Sequence, residues 1–160
     1  MLRVKLSILF ILIISSFSVN AQGYNTALGI RFGGLSNGIT LKHFVSNASA
    51  VEGILSLGNR TVIITGLYEM HTSIDHSQLF RFYYGVGAHV GFFQDGGYYY
   101  YHNNILYTSQ SVVGIDGIIG LGYKFKTAPI NIGMDLKPFM DFNSGTNLFF
   151  DGGVSVRYTF

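Results

Sequence analysis

Apolar and polar residues alternate along most of this chain, most strictly at its end. Phe150, Gly152, Val154, Val156, Tyr158 and Phe160 share one parity, and Phe149, Asp151, Gly153, Ser155, Arg157 and Thr159 share the other. Successive side chains of a strand point to opposite faces, so this segment reads as a strand with one apolar and one polar face. From residue 79, Phe80, Phe82, Tyr84, Val86, Ala88, Val90 and Phe92 oppose Arg81, Tyr83, Gly85, Gly87, His89 and Gly91. In 111–125, Val113, Ile115, Ile119, Leu121, Tyr123 and Phe125 oppose Gly114, Asp116, Gly120, Gly122 and Lys124. In 130–142, Ile130, Ile132, Met134, Leu136, Met140 and Phe142 oppose Asn131, Gly133, Asp135, Lys137 and Asp141. Four earlier segments, about 24–33, 38–45, 50–58 and 61–72, carry a noisier version of the same pattern. Gly33-Gly34 with Ser36-Asn37-Gly38, Ser46-Asn47 and Gly58-Asn59 are turn signals between them. The pattern predicts eight strands of roughly 8–14 residues and no helix.

Residues 1–21 break the pattern. Arg3 and Lys5 precede an apolar run from Leu6 to Val19, and Val19 and Ala21 are small residues before Gln22. This is the layout of a secretory signal peptide, with cleavage expected after Ala21. The run is shorter than the ~20 residues of a spanning helix. The expected mature chain, 22–160, has no composition break or linker and reads as one domain. Losing Arg3 and Lys5 makes its basic residues equal in number to its eight acidic ones, so the sequence pI of about 8.8 owes its basic lean to the leader. A net charge of +2 for the whole chain gives no reason to expect nucleic acid as a partner. The absence of Cys removes disulfide scaffolds and Cys-ligated metals.

Composition then decides which face points inward. Charged residues are 11% of the chain, against about 25% in ordinary soluble domains. So few charges cannot coat the outside of a closed soluble sheet. The glycines fall mostly on the charged parity, as a crowded polar interior requires. The interior of an eight-stranded barrel is just wide enough to be filled by side chains. The bulky parity then meets outer-membrane lipid, with Tyr and Phe at the interfaces. Closure is obligatory there, because an open edge in lipid leaves N–H and C=O groups unpaired. The expected fold is all-β, an eight-stranded antiparallel up-and-down transmembrane β-barrel. Both termini would lie on the periplasmic side with turns near 46–49, 73–78 and 126–129. Turns near 33–38, 58–60, 93–110 and 143–147 would be extracellular.

A leader, eight alternating segments and a last strand carrying Tyr158 and ending in Phe160 resemble the small outer-membrane proteins of the OmpX and OmpA-barrel type. Gly152 to Phe160, and Asp135-Leu136-Lys137-Pro138 after a turn at Ala128-Pro129, look like Bacteroidota members of that group. The resemblance implies location in the outer membrane of a Gram-negative bacterium. It also implies that Tyr158 and Phe160 are read by the barrel-assembly machinery, and that the role is structural, in envelope integrity, or in surface interaction. The two short first outer turns depart from the OmpX pattern and argue against a large protruding adhesion surface.

The lumen set comprises Arg31, Lys42, Glu52, Glu69, Arg81, Asp116, Lys124, Asp135, Lys137 and Arg157. Buried charges need partners, so an ion-pair network is expected rather than an open pore. A turn at Ser46-Asn47-Ala48 would set Lys42 against Glu52, and one centred near Asp75 would set Glu69 against Arg81. His89 could meet Asp116 or Ser111. Pro138 removes a ladder donor, predicting a bulge or an early strand end. The segment 94–110 holds Tyr98, Tyr99, Tyr100, Tyr101, His102, Asn103, Asn104 and Tyr107. Tyrosine suits recognition, making this loop the candidate surface for an extracellular ligand. Tyrosine also forms strands well, and a strand extension with a His102-Asn103-Asn104 turn is the plainer reading.

Lipid A-modifying enzymes share this architecture, but they need a His with a Ser and an acid near the outer rim. His71 and His76 fall near the periplasmic end, and His43 is expected to face lipid at that end. Phe32 to Gly38 contains Ser36-Asn37 without a preceding His. No catalytic motif is present, so no enzymatic activity and no cofactor are expected. Glu69 and His71 share a face but do not make a metal motif.

Overall fold

In the computed structural model, residues 25–58, 60–76, 78–94, 111–142 and 148–160 are described. The predicted leader and the Tyr-rich segment Tyr98–Tyr107 lie outside them. Eight strands run β1 (Thr26–Gly33), β2 (Gly38–Phe44), β3 (Ser49–Gly58), β4 (Thr61–Ser73), β5 (Phe80–Phe93), β6 (Ser111–Lys124), β7 (Ile130–Asp141) and β8 (Leu148–Thr159). Each predicted segment is a strand, with ends shifted by one or two residues. Every neighbour pair is antiparallel, and the order β1 to β8 closes on itself. Closure pairs Ala27 with Thr159 and Gly33 with Gly153. Thr26 and Phe160 exchange main-chain hydrogen bonds at 3.1 and 2.9 Å, so both ends of the barrel chain meet at one end of the wall. That end is called the termini end below, and the opposite one the loop end.

The faces follow the parity of the sequence. Leu28, Ile30 and Phe32 of β1, Ile64, Tyr68 and Met70 of β4, and Val154, Val156 and Tyr158 of β8 all point outward and are exposed. Val86 of β5 is 70% exposed. The outward run from Phe80 to Phe92, at roughly 3.3 Å per residue and a tilt of roughly 45°, rises about 28 Å. The apolar band of outer-membrane barrels is about 25 Å tall. Tyr68, Tyr84, Tyr123 and Tyr158 lie in the termini half of this face, and Phe32, Phe92, Phe142 and Phe150 in the loop half. Among the described residues no helix is long and apolar enough to cross a membrane.

Two local expectations need correction. Ser73, not Glu69, faces Arg81, and Glu69 faces Gly85. β4 runs on through His71, Thr72 and Ser73 before turning, so the turn is centred later than Asp75. Ile74 N–H donates to Phe80 O at 3.0 Å, the Asp75 carboxylate accepts from Phe80 N–H at 3.2 Å, and Gln78 adopts φ 57°. Pro138, for its part, neither ends β7 nor forms a bulge. The β6–β7 ladder pairs Asp116 with Phe139 and resumes at Ile119 with Leu136 in unchanged register. Pro138 stays opposite Phe150 on β8. The missing N–H therefore removes pairing locally without inserting a residue. Opposite it, Gly117 leaves room for the ring: a Cβ there would lie 3.1 Å from Pro138 Cγ.

Candidate functional site

The barrel interior holds the charges. Arg31, Lys42, Glu52, Glu69, Asp116, Asp135, Lys137 and Arg157 are all buried in the lumen. Arg81 and Lys124 are half-buried at the termini end. Period two puts these residues on the inner face, and the closed register decides which of them meet.

Three groups result. Midway along the wall, Lys42 faces Glu52 across β2 and β3. Its ammonium lies 3.0 Å from Glu52 and 2.7 Å from Glu69 of β4. Arg157 of β8 reaches across the lumen to Glu52 at 2.5 Å, and Thr40 donates to the same carboxylate. His71 Nε2 lies 2.9 Å from Glu69 Oε2, and its ring stacks on Tyr83 at 5.2 Å between centroids. Tyr83 also carries the Lys42 ammonium over its face, 4.2 Å from the centroid. The second group centres on Arg31, which donates to Asp135 at 2.5 Å and Asp151 at 2.9 Å. It also donates to the Ser36 hydroxyl, which in turn donates to Asp151. Leu35 N–H donates to Asp151 at 2.9 Å, folding the β1–β2 turn inward. In the third group, His89 lies between Asp116 (2.7 Å) and Asp141 (2.8 Å), and Lys137 lies 2.8 Å from Asp116.

Glycines on the inner face make these contacts fit. The Arg31 guanidinium lies on Gly153, the His89 ring on Gly114, the Tyr83 ring on Gly120 and the Arg157 stem on Gly29. An added Cβ at any of the four would collide with the side chain above it. At these four positions the large side chain and its facing glycine fit together on the inner face.

Apolar side chains close the remaining space. Ile63, Phe93, Val112 and Phe139 cluster inside the loop half, with Leu35 and Phe149 packed against them. Ile54, Leu67, Tyr83 and Ile118 form a second cluster. These residues lie on the inner parity, so alternation already assigns them to the lumen. An expectation of a purely polar interior passes over them. Asp141 and Asp151 also carry that parity and complete the ion pairs. His89 reaches Asp116, while Ser111 pairs with Phe92 on the wall. His43 is outward and exposed, bonded to Thr26 at 2.9 Å. Tyr158 is outward, between Leu28 and Ile130.

The chain is similar in structure to the N-terminal β-barrel domain of Pseudomonas aeruginosa OprF. The TM-score is 0.61 at 13% sequence identity, covering 87% of this chain and all of that domain. Neisserial surface protein A (NspA) matches with a TM-score of 0.49 at 15% identity, covering 84% of this chain and 93% of that one. No family model and no curated protein matches the chain. The likeness to the OprF barrel establishes the fold, a closed eight-stranded antiparallel barrel.

Proposed function

We propose that this chain is an integral outer-membrane β-barrel with a structural, envelope-integrity or surface-interaction role. Its lumen is plugged and carries no general diffusion current. The observation that supports this reading is the inversion of the two faces. The outward surface is a continuous apolar band, while Arg31, Arg157, Glu52 and Glu69 are at most 1% exposed and paired within. Water would favour the opposite arrangement; hydrocarbon favours this one. In the same reading the leader is removed after Ala21, and Tyr158 and Phe160 present the last strand to the barrel-assembly machinery.

Outer-membrane fractionation followed by electrophoresis with and without boiling tests the proposal. A heat-modifiable band in the outer-membrane fraction is expected, together with planar bilayers that show no large stable conductance. Recovery in a soluble fraction, or large steady channels, would overturn it. The face assignment has its own test in Val86→Arg, placed mid-strand between Tyr68 and Gly117. Arginine at the bilayer midplane costs about 2–4 kcal/mol, whereas an exposed site in water tolerates it within about 0.5 kcal/mol. Urea unfolding in lipid vesicles is expected to give the larger loss.

A further inference from the structure

Every junction of the wall but one joins strands that follow each other in the chain. The exception is the seam between β1 and β8. Consecutive strands are tethered by the segment between them, whereas β1 and β8 are tethered only through the whole ring. The seam also rests on a short strand: β1 has 8 residues, against 13 in β4 and 14 in β5.

Two arginines cross this seam on its inner side, in opposite directions. Arg31 of β1 passes over Gly153 of β8 and donates to Asp135 of β7 at 2.5 Å and Asp151 of β8 at 2.9 Å. Arg157 of β8 lies over Gly29 of β1 and donates to Thr40 of β2 at 3.3 Å and Glu52 of β3 at 2.5 Å. The register lays out both paths: Gly29 sits between Arg157 and Thr40, and Gly153 faces Asp135. Leu35 N–H and the Ser36 hydroxyl, in the turn after β1, cross in the same direction as Arg31 to reach Asp151. The other lumen pairs join strands β2 to β7 and leave the seam alone: Lys42 with Glu52 and Glu69, Lys137 with Asp116, and His89 with Asp116 and Asp141.

A guanidinium is a rigid fork of donors and can hold acceptors on two strands at once. Parting the seam would pull both forks from their carboxylates and leave buried charges uncompensated. We propose that Arg31 and Arg157 form a two-way clasp that keeps the β1–β8 seam from opening sideways, with Gly153 and Gly29 giving the clearance over which they cross. The clasp depends only on the closed ring and stands apart from the proposed cellular role.

Hydrogen–deuterium exchange tests this on the full chain, isotope-labelled and folded in maltoside detergent. Thr26 and Phe160 exchange main-chain bonds, and an antiparallel ladder repeats such an exchange every second residue. The amides of Leu28, Ile30, Val156 and Tyr158 therefore bond across the seam. In Arg31→Met/Arg157→Met these four are expected to exchange at least about tenfold faster, or about 1.4 kcal/mol. Amides of β4, β5 and β6 are expected to keep nearly the parent rate, and each single variant to fall between. His89→Asn breaks ion pairs away from the seam and is expected to leave the four amides unchanged. Heat-modifiable mobility reports that each variant is folded. Should the double variant not fold, Arg31→Lys and Arg157→Lys, which keep the charge without the fork, carry the comparison. The chain has no Cys, so a disulfide can be placed across the seam at Ala27 and Thr159, which face each other there. In oxidised Ala27→Cys/Thr159→Cys the arginine substitutions are expected to lose their effect on the seam amides, and reduction to restore it. Unchanged seam amides, equal acceleration in all eight strands, or an effect that survives the disulfide would overturn the proposal.

Discussion

Gly153→Val is expected to destabilise the barrel by about 3–5 kcal/mol, the usual cost of breaking a buried ion pair. Gly153 faces Gly33 on one side and Asp135 on the other, and its missing side chain is the floor on which the Arg31 guanidinium lies. A Cβ at this position would stand 2.5 Å from Arg31 Cζ and Nη2. Arg31 cannot simply swing away, because Asp135, Asp151 and Ser36 all hold it. Displacing it leaves two buried carboxylates without their cation. Gly66→Val is the control, because Gly66 faces outward and a Cβ there meets no atom within 4 Å. Valine suits strand positions, so this variant is expected to match or slightly exceed the parent. Urea titrations in lipid vesicles, read by the gel mobility shift, compare the two. Equal losses would show that the glycine cradle contributes nothing.

The second large effect is expected at Arg157. Its guanidinium reaches from β8 to Glu52 at 2.5 Å and also donates to Thr40 at 3.3 Å. Arg157→Met keeps most of the stem over Gly29 but removes the charge. Glu52 then shares a single ammonium, Lys42, with Glu69. A loss of about 3–5 kcal/mol follows from an uncompensated buried carboxylate. Adding Glu52→Gln is expected to recover most of it, since the amide can still accept from Thr40 and leaves Lys42 to Glu69. A double-mutant cycle measures this coupling, with an interaction energy within the roughly 0.5–3 kcal/mol range seen for contacting residues. Additive losses would mean that Arg157 acts through packing alone.

The eight strands and their two faces were legible because a strand repeats every two residues and this chain keeps that period over long runs. Phe80 to Phe92 and Phe150 to Phe160 need no tertiary information to be assigned. Lys42 opposite Glu52 could also be read, since a short turn at Ser46 to Ala48 leaves little freedom of register. The Glu69–Arg81 pairing could not. Shifting a turn's centre by two residues preserves every face and moves every partner, so parity gave no warning that β4 would continue to Ser73. Pro138 departs from the break its missing donor predicts for a related reason. Its missing donor is a local fact, but the unbroken register on both sides comes from the long pairings of β7 with β6 and β8.

Sequence alone therefore determined the number of strands, the identity of the outward and inward residues, and the scarcity of charge on the outward face. Closure decided the rest. Arg31 of β1 meets Asp135 of β7 and Asp151 of β8, more than a hundred positions away, because bending the sheet into a ring brings distant inner faces within hydrogen-bond range. Period two specifies the side of the wall on which a residue stands; only the shear and circumference of the finished ring specify what lies across from it.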